Sequence, residues 1–212
     1  MVKVKICGIS NYEDAAMAVH LGVDAIGFIF APSPRQITPE KAREIIRDIP
    51  PHVKTVGVFV NESPETVTRI MELCGLDLIQ FHGDEPPQMC GDFMPHIIKA
   101  FRIRDRSVLE TIRPYCGKIR AMLFDSYASE TFGGTGKTFD WRTAVTGKVI
   151  DVPIILSGGL RPSNIVSAIS EVNPFAVDVN SGIEERPGKK DHSLMEELME
   201  NIRNAENGKG FE

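Results

Sequence analysis

Eight short runs rich in β-branched and aromatic residues, each followed by a segment of helical character, constrain this chain more than any other feature. They occupy residues 2–7, 25–30, 55–60, 76–81, 97–101, 121–125, 152–157 and 175–179. Successive starts lie about 20 to 30 residues apart, room for one strand, one loop and one helix. Such alternation predicts βαβ units around a parallel sheet, and a count of eight predicts an α/β fold, a single parallel (β/α)8 TIM barrel. An open doubly wound sheet also alternates strands and helices. It usually needs fewer strands, however, and no Gly-x-Gly-x-x-Gly follows the first run. Polar residues or glycine close nearly all eight runs, which is where a barrel gathers its site.

The connecting segments carry their own punctuation. Thr38-Pro39 and Ser63-Pro64 each pair an N-cap hydroxyl with a proline whose missing N–H costs nothing at a first helical position. Apolar stripes follow at Ala42, Ile45, Ile46 and Ile49, and at Val67, Ile70, Met71 and Cys74. Asp191 caps a last helix with Leu194, Met195, Leu198, Met199 and Ile202 on one face, before Asn207-Gly208-Lys209-Gly210 breaks the pattern. With 212 residues the chain holds one substantial core. Residues 1–205 are expected to form the barrel and residues 206–212 a polar, frayed tail.

A net charge of −5, with Lys and Arg scattered among Asp and Glu, offers no basic field for nucleic acid. The opening Met1-Val2-Lys3-Val4-Lys5-Ile6 lacks the unbroken apolar stretch of a signal peptide or a membrane span, so a cytoplasmic location is expected. Cys7, Cys74, Cys90 and Cys116 lie far apart without metal-ligand spacing, so neither a disulfide framework nor a zinc site is expected. No obligate protein partner is evident.

Residues at the strand ends carry the chemistry. Gly158 and Gly159 after the seventh run, and Asn180, Ser181 and Gly182 after the eighth, let backbone N–H groups approach an anion, and Pro162, Ser163 and Asn164 open a helix aimed at the same place. A phosphate fits there, although glycines also simply turn a chain out of its strand. Cys7 reads either as a base at the mouth or as a small buried hydrophobe. Asp125, closing an apolar run, reads as a general acid or as a loop-fixing carboxylate. Asp178 lies within its run and reads as well for a supporting hydrogen bond as for proton transfer. Arg35 can grip a carboxylate or stay a solvated charge, and His82 can shuttle a proton or line a wall. His20, His52, His96 and His192 show no partners and receive no role. Gly133-Gly134-Thr135-Gly136-Lys137 lacks P-loop spacing and reads as a mobile flap.

Taken together, these segments resemble the phosphoribosylanthranilate isomerase family along nearly the whole chain. The resemblance rests on Lys5-Ile6-Cys7-Gly8-Ile9, Gly27-Phe28-Ile29-Phe30, Ser33-Pro34-Arg35, Val56-Gly57-Val58-Phe59 and Gln80-Phe81-His82-Gly83-Asp84-Glu85. It continues through Asp125, Gly133 to Gly136, Phe139-Asp140-Trp141, Ser157-Gly158-Gly159-Leu160 and Asp178-Val179-Asn180-Ser181-Gly182-Ile183-Glu184. It implies an enzyme of tryptophan biosynthesis that performs an Amadori rearrangement without metal or other cofactor. Its substrate is a small phosphorylated molecule. By the family pattern Asp125 is the acid, Cys7 the base, Arg35 holds the anthranilate carboxylate, and the two glycine-bearing loops hold the phosphate. His82 and Asp178 are expected to line the substrate. Asn180 stands where the family usually has serine, and Phe81 where leucine is common. A related histidine-pathway isomerase type uses two aspartates, which Cys7 argues against. A noncatalytic phosphate-binding barrel would bind the substrate without turning it over.

Overall fold

The chain is described by a computed structural model covering residues 2–103, 107–126 and 141–206. Eight parallel strands close into a barrel in sequence order: β1 (Lys3–Ile6), β2 (Ala25–Ile29), β3 (Lys54–Phe59), β4 (Leu78–Phe81), β5 (Ile97–Ile103), β6 (Ala121–Ser126), β7 (Ile154–Leu156) and β8 (Ala176–Val179). Closure comes from β1, whose Lys5 faces Ala25 on one side and Asp178 on the other. The strands alternate with α1 (Tyr12–His20), α2 (Pro39–Ile46), α3 (Pro64–Cys74), α4 (Pro87–Asp92), α5 (Val108–Ile112), α6 (Trp141–Thr146), α7 (Pro162–Val172) and α8 (His192–Glu206). No helix among the described residues is long and apolar enough to cross a membrane. The Gly133–Lys137 flap and the tail from residue 207 lie outside the described residues.

The expected helix starts form as the sequence dictates. Thr38 Oγ1 accepts from the Lys41 N–H (3.3 Å), Ser63 Oγ from the Thr66 N–H (3.2 Å), and Asp191 Oδ1 from Ser193 and Leu194 (2.9 and 3.1 Å). Each cap satisfies donors that the first helical turn leaves unpaired. Strand limits differ from expectation by a few residues. The seventh starts at Ile154, after Pro153, which has no N–H to give to a ladder. One element was not anticipated. After β8, a 3-10 turn at Ser181–Ile183 leads into an antiparallel pair, β9 (Glu184–Arg186) and β10 (Lys189–Lys190).

Strand periodicity sorts the core into two layers. Ile6, Phe28, Phe81, Phe124, Leu156 and Val177 point outward and meet the helix stripes, where Ala42, Ile45, Val67, Ile70, Leu198 and Ile202 are buried. Each such Ile or Phe contributes about 1.5–3 kcal/mol. Val56, Ile98, Ala100, Ala121, Leu123, Ile155 and Ala176 point inward and plug the barrel. Residues two positions further along these strands therefore point inward as well, higher in the same lumen. This rule delivers polar groups to the mouth.

Candidate active site

Cys7, two residues beyond Lys5, Asp125, two beyond Leu123, His82, two beyond Gln80, and Asp178, two beyond Ala176, share the inward parity. Sequence positions more than a hundred residues apart are thereby gathered at the carboxyl ends of β1, β4, β6 and β8. A groove of about 460 Å³ between Ser10–Tyr12 and α2 lies on the flank instead and gathers none of these groups.

Cys7 is buried just beyond β1, its N–H donating to Val179 O (2.9 Å). Beneath it Lys5 Nζ donates to Asp178 Oδ1 (2.9 Å), with side chains only 4% and 5% exposed. Asp178 is therefore a paired group in the lumen, held by a lysine that sequence reasoning passed over. Gly27 on β2 leaves space for both neighbours: a methyl there would lie 2.9 Å from Cys7 Sγ and 3.0 Å from Lys5 Nζ. Burial pushes the Cys7 thiol up, the Lys5 ammonium opposes that rise, and the Asp178 carboxylate adds to it. Burial alone would lower Lys5, but Asp178 and Cys7 favour the cation strongly enough to hold it above the ordinary lysine value.

Across the mouth His82 bridges two groups. Its Nε2 lies 3.1 Å from Asp125 Oδ2, and its Nδ1 lies 3.0 Å from Gln80 Nε2. An Nε2–H tautomer satisfies both contacts, donating to the carboxylate and accepting from the amide. Side-chain exposures of 23% for His82 and 28% for Asp125 leave the pair reachable from solvent. The loop carrying His82 is fixed from below. Glu85 accepts from the Gly83 and Asn61 N–H groups, while the buried Lys99 Nζ pairs with Glu85 Oε2 (3.2 Å) and donates to Gly83 O (2.7 Å).

Arg35 is not a solvated charge: it forms a two-pronged ion pair with Glu184. Burial alone would raise the Glu184 carboxyl, but hydrogen bonds from Arg35 and Lys190 hold it below the usual carboxylate range. Gly158 and Gly159 take φ values of 88° and 66°, the left-handed region glycine tolerates, and lead into α7. A methyl on Gly182 would overlap Leu160 O, so the loops after β7 and β8 touch. Asn180 differs from expectation in one respect: its Oδ1 and its backbone O both accept from Lys190 Nζ (2.9 and 3.2 Å).

Two histidines expected to stand alone do not. His192 Nε2 meets Asp14 Oδ1 (2.9 Å), whose other oxygen accepts from the Lys190 N–H (2.8 Å), and His96 Nδ1 meets Asp77 O (3.0 Å). Sequence reasoning also missed Lys5, Gln80, Glu184 and Lys190. For Lys5 and Gln80 the available signal was parity, each lying two residues before a candidate site residue.

The sequence matches the family model for N-(5'phosphoribosyl)anthranilate (PRA) isomerase over residues 4–201. A Geobacter sulfurreducens protein named N-(5'-phosphoribosyl)anthranilate isomerase is 48% identical over 200 residues, covering 94% of this chain and 97% of that one. Its namesake in Moorella thermoacetica is 46% identical over 209 residues, covering 97% and 92%. The crystal structure of phosphoribosyl anthranilate isomerase from Thermotoga maritima superposes with a TM-score of 0.90 at 43% identity, covering 96% of this chain and 100% of that one. A further phosphoribosyl anthranilate isomerase structure holds reduced 1-(o-carboxyphenylamino)-1-deoxyribulose 5-phosphate. It matches with a TM-score of 0.86 at 40% identity, over 96% and 100% of the two chains.

Proposed function

Because the chain belongs to the N-(5'-phosphoribosyl)anthranilate isomerase family, we propose that Cys7 and Asp125 are the base and acid with which it rearranges that substrate. The enzyme converts N-(5'-phosphoribosyl)anthranilate into 1-(2-carboxyphenylamino)-1-deoxyribulose 5-phosphate, an aldose-to-ketose isomerisation in tryptophan biosynthesis.

Asp125 gives a proton to the furanose ring oxygen, and the C1'–O4' bond breaks as the anilino nitrogen's lone pair forms a Schiff base. Cys7, as thiolate, removes the C2' proton. The electron pair left behind forms the C1'=C2' bond of an enolamine and returns the nitrogen's charge to neutral. C1' then gains a proton and O2' loses one, giving the ketone and restoring both groups. Each proton transfer by a positioned group contributes roughly 10²–10⁴-fold. His82, tied to Asp125 and Gln80, orients the acid and can share its proton. Lys5 partly offsets the cost of forming a thiolate in a buried place, and Asp178 holds Lys5.

Arg35 holds the anthranilate carboxylate. Gly158, Gly159, Asn180, Ser181 and Gly182 supply backbone N–H groups to the phosphate, beside the amino end of α7. The reading takes one small phosphorylated substrate, a cytoplasmic setting and no obligate partner. The observation that carries it is the shared inward parity of Cys7 and Asp125 above a common apolar plug.

The test is the loss of anthranilate-riboside fluorescence on adding purified protein. Turnover is expected in the wild type, and Cys7→Ala and Asp125→Asn should each remove most of it while keeping the native circular dichroism spectrum. Near-normal turnover in either folded variant rejects that residue's role, and binding without product rejects catalysis altogether.

A further inference from the structure

Arg35 is oriented before any substrate arrives. Its Nε–H is shared between Glu184 Oε1 (2.9 Å) and Oε2 (3.0 Å), and Nη2 donates to Oε2 (2.7 Å). A guanidinium is a planar fork of five N–H groups with a side-on and an end-on edge. Glu184 occupies the side-on edge, made of Nε–H and one hydrogen of Nη2. Both Nη1 hydrogens and the second Nη2 hydrogen have no partner among the described residues. One Nη1 hydrogen and the second Nη2 hydrogen form the end-on edge, a second bidentate seat for a carboxylate.

Glu184 does not cancel the attraction of Arg35 for an anion, because a second cation stands behind it. Lys190, with none of its side chain exposed, donates from Nζ to Glu184 Oε1 (3.0 Å), Asn180 Oδ1 (2.9 Å) and Asn180 O (3.2 Å). Three acceptors match the three hydrogens of an ammonium. Two positive charges and one negative leave the cluster net positive. Glu184 and Lys190 belong to β9 and β10, and Ser10 Oγ donates to Gly188 O between those strands, so the orienting carboxylate rides on an anchored hairpin. The Arg35 stem is confined too: a methyl on Gly8, beside Cys7, would lie 3.1 Å from Arg35 Cδ and 2.7 Å from Asn180 Oδ1.

We propose that Glu184 is the positioning residue that makes Arg35 a selective reader of the substrate's carboxylate, by filling the side-on edge of the guanidinium and presenting the end-on edge to the mouth. The proposal rests on the assignment of Arg35 to the anthranilate carboxylate. It goes beyond that assignment in placing carboxylate selectivity in a hairpin that carries neither the acid nor the base. Ordering the guanidinium beforehand removes rotamer freedom that binding would otherwise have to freeze out.

The test compares two substrates made in situ from ribose 5-phosphate, the anthranilate riboside and the aniline riboside, which lacks only the carboxylate. Wild type, Arg35→Met, Glu184→Gln and the double variant are assayed on both. The expectation for Glu184→Gln is a KM for the anthranilate riboside raised about tenfold or more, kcat held within about threefold, and unchanged kinetics on the aniline riboside. The aniline riboside is thus an internal measure of folded enzyme, since general misfolding lowers both activities together. The double variant should be no worse than Arg35→Met alone, because the two residues act as one unit. If Arg35→Met keeps the preference for the carboxylate, the Arg35 assignment fails. If Arg35→Met loses that preference while Glu184→Gln keeps it, or if Glu184→Gln loses both activities in parallel, the positioning role fails.

Discussion

Gly27→Ala tests the site more sharply than deleting a catalytic group, because it adds a methyl and removes nothing. The new Cβ would stand 2.9 Å from Cys7 Sγ and 3.0 Å from Lys5 Nζ, where ordinary contact needs about 3.5–4.0 Å. Cys7 Sγ must retreat by somewhat under about 1 Å and Lys5 Nζ by a few tenths of an ångström. Lys5 is pinned to Asp178 at 2.9 Å in the lumen, so its retreat stretches a buried ion pair, and Cys7 is the cheaper group to move. A misplacement on the order of 1 Å at a reacting group costs about 10²-fold, or roughly 2.7 kcal/mol of transition-state stabilisation. Stability should change less, at the low end of the usual 1–3 kcal/mol for overpacking, because the obstructing atoms are side-chain tips. The control is Gly57→Ala on the outward face, where a methyl would lie 2.6 Å from Leu76 Cδ1 and 2.9 Å from Phe59 Cε2, inside packed core. Gly57→Ala should lower the melting temperature by about 2–4 °C per kcal/mol lost and leave turnover of the folded enzyme near wild type. Gly27→Ala should do the reverse, with kcat down about 100-fold and a small melting shift. The assay is steady-state turnover beside thermal melts of all three proteins. A folded Gly27→Ala enzyme within about threefold of wild-type kcat would refute the placement of the base at that point of the mouth.

Other expectations follow from the charged groups. Burial raises the Cys7 thiol, so kcat/KM should climb with pH through the neutral range toward the alkaline side as thiolate forms; a flat profile from pH 7 to about 9 removes Cys7 as the titrating base. Glu184 has a folded pKa below its unfolded value, so its contribution to stability is complete above the ordinary carboxylate range near about 4.3 and is lost as pH falls through the lowered value. Melts of Glu184→Gln should accordingly fall less steeply than wild type between about pH 5 and 2, and parallel slopes would contradict that. Lys99→Met strands the buried Glu85 carboxylate beneath the His82 loop and should destabilise the fold by about 3–5 kcal/mol, measured by urea unfolding. A loss under about 1 kcal/mol would show that this pair holds nothing in place.

The barrel was readable because its strands announce themselves locally, and Cys7, His82 and Asp125 because a barrel brings its strand ends to one mouth. Lys5 escaped for an instructive reason. Val4-Lys5-Ile6-Cys7 has the alternation of a strand with one wet face, yet in a closed barrel both faces are covered. Val4 and Ile6 meet the helices, and Lys5 turns into the lumen, where Asp178 from 173 residues away makes its charge tolerable. Arg35 and Glu184 are separated by 149 residues, so nothing local could have paired them. The β9–β10 hairpin has strands of three and two residues, all charged, and its only local mark was Pro187-Gly188. The contacts that orient Lys5 and Arg35 are thus long-range ones between charges, where propensity and periodicity say least.

That distribution follows from how the lumen is layered. The plug of Val56, Ile98, Ala100, Ala121, Leu123, Ile155 and Ala176 fills the lower barrel with apolar atoms. A charge set directly on such a floor is costly unless paired, because neither water nor fixed dipoles can solvate it from below. Lys5 with Asp178 meets this requirement at the next level, and the reactive groups stand above the pair, where solvent and substrate reach them. An apolar replacement of both members, Lys5→Met with Asp178→Leu, should therefore leave the barrel folded, since hydrophobic residues of similar volume commonly replace buried pairs at little cost. It should nevertheless slow turnover, because Cys7 loses the cation that opposes its burial. A double variant that is as active as wild type would mean that the thiol needs no cation beneath it.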